Sequence, residues 1–239
     1  MPHNSSHHLV PLVNLVLVLL IGTQGCGQGA GVREASPERS CELHLGLLRR
    51  AICEYREKHG DLPRMTVGPN GDTHSWRVLV GLAHVDMTHY TREYHFDSPW
   101  HDAENVETLY ACAISPFLSC PTEKQGLEVT HATYLLLVRP HMRDADANQD
   151  VAHGLPADAV LIVESIHSGI GFGEPRDLDW DDLWEDDSPF GPGKLHSLHP
   201  GVVKAMRVDG KIIDISKRLD KDEVRRLLSG TTGQKRQKR

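Results

Sequence analysis

The chain has 239 residues, with 26 Lys and Arg against 33 Asp and Glu, for a net charge of −7. That balance excludes a nucleic-acid footprint over the whole body, and an aromatic share of 5% argues against base-stacking platforms. A hydrophobic share of 39% supports one medium domain with a leader and tails.

Residues 9–22, "LVPLVNLVLVLLIG", form an apolar run broken by Pro11 and Asn14. The run is shorter than the ~20 residues a bilayer span needs and fits a signal-peptide core. The preceding "MPHNSSHH" carries no Lys or Arg. "TQGC" (23–26) is similar to a bacterial lipoprotein cleavage box, with Thr23 where that box prefers Leu. Residues 1–26 therefore read as a signal peptide or lipoprotein leader. Cys26 is the lipidation candidate, against simple cleavage or an uncleaved anchor. Residues 27–36, rich in Gly, Ala and Ser, read as a linker.

Ser36-Pro37-Glu38 has the order of an N-cap, a first-turn Pro and a first-turn acid. Cys41, Leu45, Leu48, Ile52 and Tyr55 then recur at alternating steps of four and three, with Leu47 and Ala51 widening the stripe. The spacing predicts a helix of about 22 residues ended by Gly60, whose apolar face something else must cover. "TVGPNGD" (66–72) is a turn cluster, and "HSWRVLVGLAHV" (74–85) fits a strand or a buried helix and is read as helical. "ETLYACA" (107–113) predicts a short helix, followed by a Pro-punctuated loop. "ATYLLLVRP" (132–140), "DAVLIVESI" (158–166) and "VVKAMRV" (202–208) read as strands. An acidic insertion, "EPRDLDWDDLWEDDSPFGPG", separates the last two. "LDKDEVRRLLS" (219–229) predicts a closing helix, and residues 230–239 a disordered basic tail.

Asp209-Gly210 is a hairpin signal, read as a two-residue type I′ turn. That turn sets Val208 opposite Lys211, Arg207 opposite Ile212 and Met206 opposite Ile213. Met206 and Val208 would then share a face with Ile213 and Ile215, directed at the long helix. Export makes disulfides available to Cys41, Cys53, Cys112 and Cys120. Cys41 and Cys53, ~18 Å apart on one helix, lie beyond the ~7 Å Cα limit. Two bridges would tie the helix to the 112–120 segment; a lone Cys112–Cys120 bridge or four reduced thiols remain open.

Several ordered segments together carry a resemblance. They are "SCELHLGLLRRAICEYREKHGDLP" (40–63), "HSWRVLV" (74–80), "YHFDSPWHDAEN" (94–105), "AVLIVESIHSGIGFGEPRDL" (159–178) and "HPGVVKAMRVDG" (199–210). The chain resembles the bacterial pilin-like family called domain of unknown function 1559, whose C-terminus carries a motif of His, nine residues and Asp-Gly. Here that motif is His199, Asp209 and Gly210, and the resemblance spans roughly residues 40–228. It implies an α+β fold in which a long N-terminal helix packs on an antiparallel sheet, with a C-terminal β-hairpin and a short closing helix. The pilin-like domain is expected over 37–229. The prepilin peptidase signal of a basic residue and Gly-Phe-Thr before an acid is absent from this sequence. The helix also lacks the apolar N-terminal half of a true pilin, which favours a domain tethered or released by another route.

Trp76, Arg77 and Trp100 match the family's aromatic segments and read as core anchors, with Arg77 expected to pair with Asp97 or Asp102. His199 reads as a hydrogen-bonding residue at a strand entrance and Asp209 as a turn residue. Glu164, Glu174, Asp177 and Asp179 are the candidates for a Ca²⁺ site, a hard cation wanting oxygen ligands. The loop fails the EF-hand pattern, with Asp182 where Gly belongs and Ser188 where Glu belongs; the competing reading is a solvated acidic loop pinned by Trp180 and Trp184. "HVDMTH" (84–89) has no zinc signature, "HSGIG" lacks the first Gly of a nucleophile elbow, and there is no phosphate-binding Gly-rich loop. These patterns describe a non-enzymatic, exported protein of the cell envelope, membrane-anchored or periplasmic or extracellular. It would act on envelope proteins or a surface, hold the membrane through its leader or lipid, and need no cofactor and no nucleic acid. The alternative is a secreted metal-dependent enzyme (Ca or Zn), or a calcium-binding module, using His199 and the 164–182 carboxylates.

Overall fold

The structure, a computed structural model, describes residues 37–84, 93–111, 131–143 and 149–230, all within the compact unit Ala35–Arg239. The leader, Cys26, Cys112, Cys120, the 85–89 part of the His-rich segment and the tail from 231 lie outside the described residues. Helix α1 (Pro37–His59) buries Cys41, Leu45, Leu48, Ala51 and Ile52, the positions its apolar spacing puts on one face. Leu47 is 37% exposed, so the stripe is narrower than the sequence reading made it. Gly60, at φ +87°, donates its N–H to the Arg56 carbonyl and closes the helix in a conformation Gly adopts without strain.

Strands β1 (Met65–Val67) and β2 (Thr73–Ser75) form a small hairpin, and α2 (Trp76–His84) follows directly. Trp76, Arg77, Val78, Val80 and Gly81 are all buried, so nearly every side of this helix meets protein. A helix covered all round has no polar face, which is why 74–85 showed no clear period. Helix α3 (Ala103–Ala111) starts earlier than the predicted Glu107, where the Asp102 carboxylate accepts the Glu104 N–H at 3.0 Å.

The main sheet has the order β5-β3-β4-β6-β7, built from β3 (Tyr134–Val138), β4 (Val160–Glu164), β5 (Leu178–Asp179), β6 (Val202–Arg207) and β7 (Ile212–Ser216). The β3–β4, β4–β6 and β6–β7 pairs are antiparallel, but β5 runs parallel to β3. The sheet is therefore mixed rather than wholly antiparallel, and the fold is α+β. Every residue of β3 and β4 is buried. Along β3, Tyr134, Leu136 and Val138 join a core with α1 and α2. Leu135 and Leu137 join a second core on the opposite face. An unbroken apolar run is what a strand covered on both sides requires. In β4 the register shifts between Val160 and Ile162, and this bulge puts successive residues Leu161 and Ile162 in the same α1-side core.

The short helix α4 (Pro140–Arg143) follows β3 and sends Met142 into the α1-side core. The second face is closed by Leu183 of the acidic insertion, by Leu195 just after it, and by α5 (Lys221–Ser229) through Val224 and Leu228. Helix α5 has both halves of a capping box. The Asp220 carboxylate accepts the Glu223 N–H at 2.8 Å, while Glu223 accepts the Asp220 N–H at 2.9 Å. The insertion is thus a cover over half the core with charged residues on its outer side. Trp180 and Trp184 pack edge to face at 5.2 Å, with Arg139 over one ring and Arg225 over the other.

The hairpin differs from the sequence reading. Met206 lies opposite Ile212, Ala205 opposite Ile213 and Val203 opposite Ile215. Arg207 and Lys211 close the loop, with the Arg207 N–H donated to Lys211 O and the Gly210 N–H to Arg207 O. Val208, Asp209 and Gly210 form a three-residue loop with Gly210 at φ +79°, the pattern of a turn followed by a Gly bulge. The one-residue shift leaves Met206 and Val208 facing the long helix, as expected, but exchanges the faces of the β7 residues. Met206 and Ile212 meet the α1-side core, while Ile213 and Ile215 meet the α5-side core.

Candidate functional site around His199 and Glu164

Glu164 is the last residue of β4, where the strand parts from β6. Its backbone carbonyl accepts the His196 N–H at 3.2 Å, and its side-chain Oε2 accepts the Lys204 N–H at 3.1 Å. The carboxylate thus extends the β4–β6 ladder by one rung after the backbone has turned away. His199 sits in the loop entering β6, 2% exposed, with its N–H bonded to the Ser197 hydroxyl at 3.0 Å. Lys217 clips the same loop by donating to the carbonyls of Ser197 and His199 at 2.8 and 3.0 Å. This places the His199 Nε2 at 3.6 Å from Glu164 Oε1, a contact longer than an ordinary hydrogen bond.

Cys41 of α1 completes the cluster. Its sulfur, a Glu164 oxygen and a His199 nitrogen lie within 4.8 Å of one another, all three residues buried. Among the described residues this is the one grouping of three with metal-ligating spacing. A metal would need the Cys41 thiolate, but Cys41 is disulfide-bonded, and a disulfide sulfur carries no ligating charge. The bridge's other half lies outside the described residues. Cys53 is a free, exposed thiol, so the reading that ties both helix cysteines into bridges does not hold.

The other chemistry-bearing residues gather around Asp177. Arg77 does not pair with Asp97 or Asp102; its Nη1 donates to Asp177 at 2.5 Å, with both side chains fully buried. The same carboxylate accepts the Leu136 N–H at 3.0 Å and the Trp76 Nε1–H at 3.1 Å. The rest of the Arg77 guanidinium donates to the carbonyls of Phe172, Glu174 and Arg176. Burial pushes the Asp177 carboxyl up, against the pull of Arg77 and the surrounding N–H donors. The partner Arg77 takes in place of Asp97 or Asp102 lies 100 residues away, immediately before β5.

The four carboxylates proposed as calcium ligands do not come together. Glu164 faces His199, Asp177 is enclosed by Arg77 and Trp76, Glu174 binds Arg176 at 2.6 Å, and Asp179 binds Arg143. Glu174 feels burial pushing its carboxyl up, but Arg176 and the Gly171 N–H prevail and hold it below the usual range. Trp100 packs where the chain has no side chain to spare: a Cβ on Gly171 or Gly173 would approach its ring at 3.0 and 3.4 Å. Asp209 receives the Lys211 N–H at 3.0 Å and acts as a turn residue.

A family model described as a protein of unknown function, domain of unknown function 1559, matches residues 31–159, more than half of the chain. The chain belongs to this family. No curated protein and no solved structure matches it. Among its described residues no helix is long and apolar enough to cross a membrane.

Two buried cations of this domain of unknown function 1559 protein escaped the sequence reading. Lys204, in an apolar strand, bonds Glu42 of α1 at 2.9 Å and Asp214 of β7 at 2.7 Å. Burial works to lower its pKa, but the two carboxylates outweigh it and the net direction is up. Arg139 donates to the carbonyls of Val160 and Leu228 at 2.8 Å, so it holds the C-terminal end of α5 on the sheet. Burial lowers its pKa to about 10. The signal for Lys204 was a lone Lys inside "VVKAMRV" and a lone acid, Asp214, at the centre of the facing strand "IIDIS", too weak to name its partners.

Proposed function

We propose that this domain of unknown function 1559 protein is an exported, pilin-like component of the bacterial cell envelope that acts through protein or surface contacts. One observation carries the reading. The residues with the greatest chemical capacity, Arg77, Asp177, Glu164 and His199, are each 2% exposed or less except Asp177 at 8%, and they bond to one another or to the backbone. Buried groups spent this way specify how α1, the sheet and the 170–200 segment fit together, and they leave binding to the outer surface. The motif of His199, Asp209 and Gly210 then has a structural meaning: it sets both ends of β6. The apolar leader and Cys26 support export, with retention through the leader or a lipid.

The test is fractionation of a bacterial host expressing the full chain, with intact-mass analysis of the recovered protein. The reading expects the protein in the envelope or the exported fraction; a leader removed at Cys26 and lipid added there would identify the lipoprotein route. Recovery of the full-length chain in the cytosol would overturn it.

A further inference from the structure

Helix α1 and the β6–β7 hairpin enclose a groove of about 480 Å³, within the ~300–1,000 Å³ typical of small-molecule sites. Ile52, Leu161 and Met206 line it with apolar side chains, while Arg49, Arg50 and Arg56 come from the helix and Arg207 from the hairpin. Asp209 is the one acid on the lining, 3.3 Å from Arg207. Four guanidiniums against one carboxylate make the lining predominantly cationic over an apolar floor.

The cations are not all consumed by the fold. Arg50 pairs with Glu54 and Arg56 with Asp150. Arg49 makes no hydrogen bond or ion pair among the described residues. Its stem lies over the hairpin tip, where a Cβ on Gly210 would meet Arg49 Cδ at 2.9 Å. The Nε–H groups of Arg56 and Arg207 are buried without a hydrogen-bond partner, an unfavourable state in the free protein. A cation in the last turn of a helix, such as Arg56, is favoured by the helix dipole, but Arg49 stands well before that turn. Gly46 adds an independent sign. A Gly inside a helix is destabilising relative to Ala, yet a Cβ at Gly46 would meet nothing within 4 Å. Packing does not demand it; what its missing side chain enlarges is the groove it lines.

We infer that this groove binds a small organic phosphate ester, its apolar body against Ile52, Leu161 and Met206 and its phosphate among Arg49, Arg56 and Arg207. Guanidiniums from two walls suit a tetrahedral oxyanion, which accepts from several directions at once, better than a planar carboxylate, which one fork satisfies. The inference is independent of the cellular address proposed above.

Cys53 supplies the probe, because its free thiol lines the groove. The experiment measures the rate of maleimide addition at Cys53 in the full chain, located by peptide mass, with 1-naphthyl phosphate, 1-naphthol, inorganic phosphate or phosphatidylglycerol vesicles present. A 1-naphthyl phosphate concentration ten times its Kd should slow the addition about tenfold, with 1-naphthol at the same concentration without effect. Arg49→Gln should weaken the protection, and Gly46→Leu, which fills the groove without touching a charge, should abolish it while unfolding at the wild-type temperature or above. Protection by phosphatidylglycerol vesicles alone would keep the phosphate-ester site and assign its source as a lipid headgroup. No protection by either ester, equal protection by 1-naphthol, or protection undiminished in both variants would overturn the inference.

Discussion

Replacing Arg77 by Met removes the cation from a fully buried pair while keeping a long apolar side chain in its place. The loss can be worked from the contacts. Asp177 keeps the Leu136 N–H and the Trp76 indole N–H but loses the charged donor at 2.5 Å. The carbonyls of Phe172, Glu174 and Arg176 lose their Arg77 donors at 3.1, 2.7 and 2.9 Å. Stranding one partner of a buried pair costs about 3–5 kcal/mol, and at about 2–4 °C per kcal/mol for a domain of this size, Tm should fall by roughly 10 °C. Urea unfolding followed by circular dichroism gives the free energy, and Arg77→Met combined with Asp177→Leu closes a double-mutant cycle. The double variant should lose less than the sum of the single losses by at least about 1 kcal/mol. Full recovery is not expected, because Asp177→Leu orphans the Leu136 and Trp76 donors. A loss below about 1 kcal/mol in Arg77→Met would refute the view that this pair fixes α2 to the 170–178 segment.

Other consequences follow from equally specific contacts. Gly68→Ala should cost about 3 kcal/mol or more, because its Cβ would fall 1.7 Å from the Phe96 carbonyl oxygen; the urea midpoint reports it. His74 bonds Phe96 O and Tyr94 Oη, and since the carbonyl only accepts, Nε2 carries the proton and Nδ1 accepts from Tyr94. Burial lowers the His74 pKa below 6.5, so the unfolded chain takes up a proton there before the native protein does. Stability should therefore decline as pH falls below 6.5, with the His74 ring less than half protonated by NMR at that ordinary midpoint; a ring titrating normally would contradict the assignment. Lys204 has the opposite sign of dependence. Its pKa is raised above 10.5, so its contribution is present at neutral pH and fades as pH climbs past that value, and Lys204→Met should flatten the alkaline limb of the stability profile.

Much of the scaffold was legible because its causes are local. The four-and-three spacing of Cys41, Leu45, Leu48 and Ile52 marks α1, and Asp220 with Glu223 marks the start of α5. The continuous "YLLLV" of β3 signals two covered faces, although it does not say what covers them. What could not be read depends on distant partners. Asp209-Gly210 serves a two-residue turn and a three-residue bulged loop equally well, and packing of Met206 and Ile212 against the α1-side core selects the second. Arg77 and Asp177 lie 100 residues apart, and Cys41, Glu164 and His199 come from a helix, a strand end and a loop. The same holds for the groove, whose arginines look like a solvated helix face until the hairpin is set opposite them.

The claim on which the account rests is that Glu164, with His199, is a structural seal between β4, β6 and α1. Urea unfolding of Glu164→Leu tests it most directly. A structural carboxylate that bonds the Lys204 N–H and faces a buried His should cost about 2–4 kcal/mol when removed. A residue kept for chemistry at the expense of stability would leave the variant as stable as the wild type or more so, and that result would contradict the account.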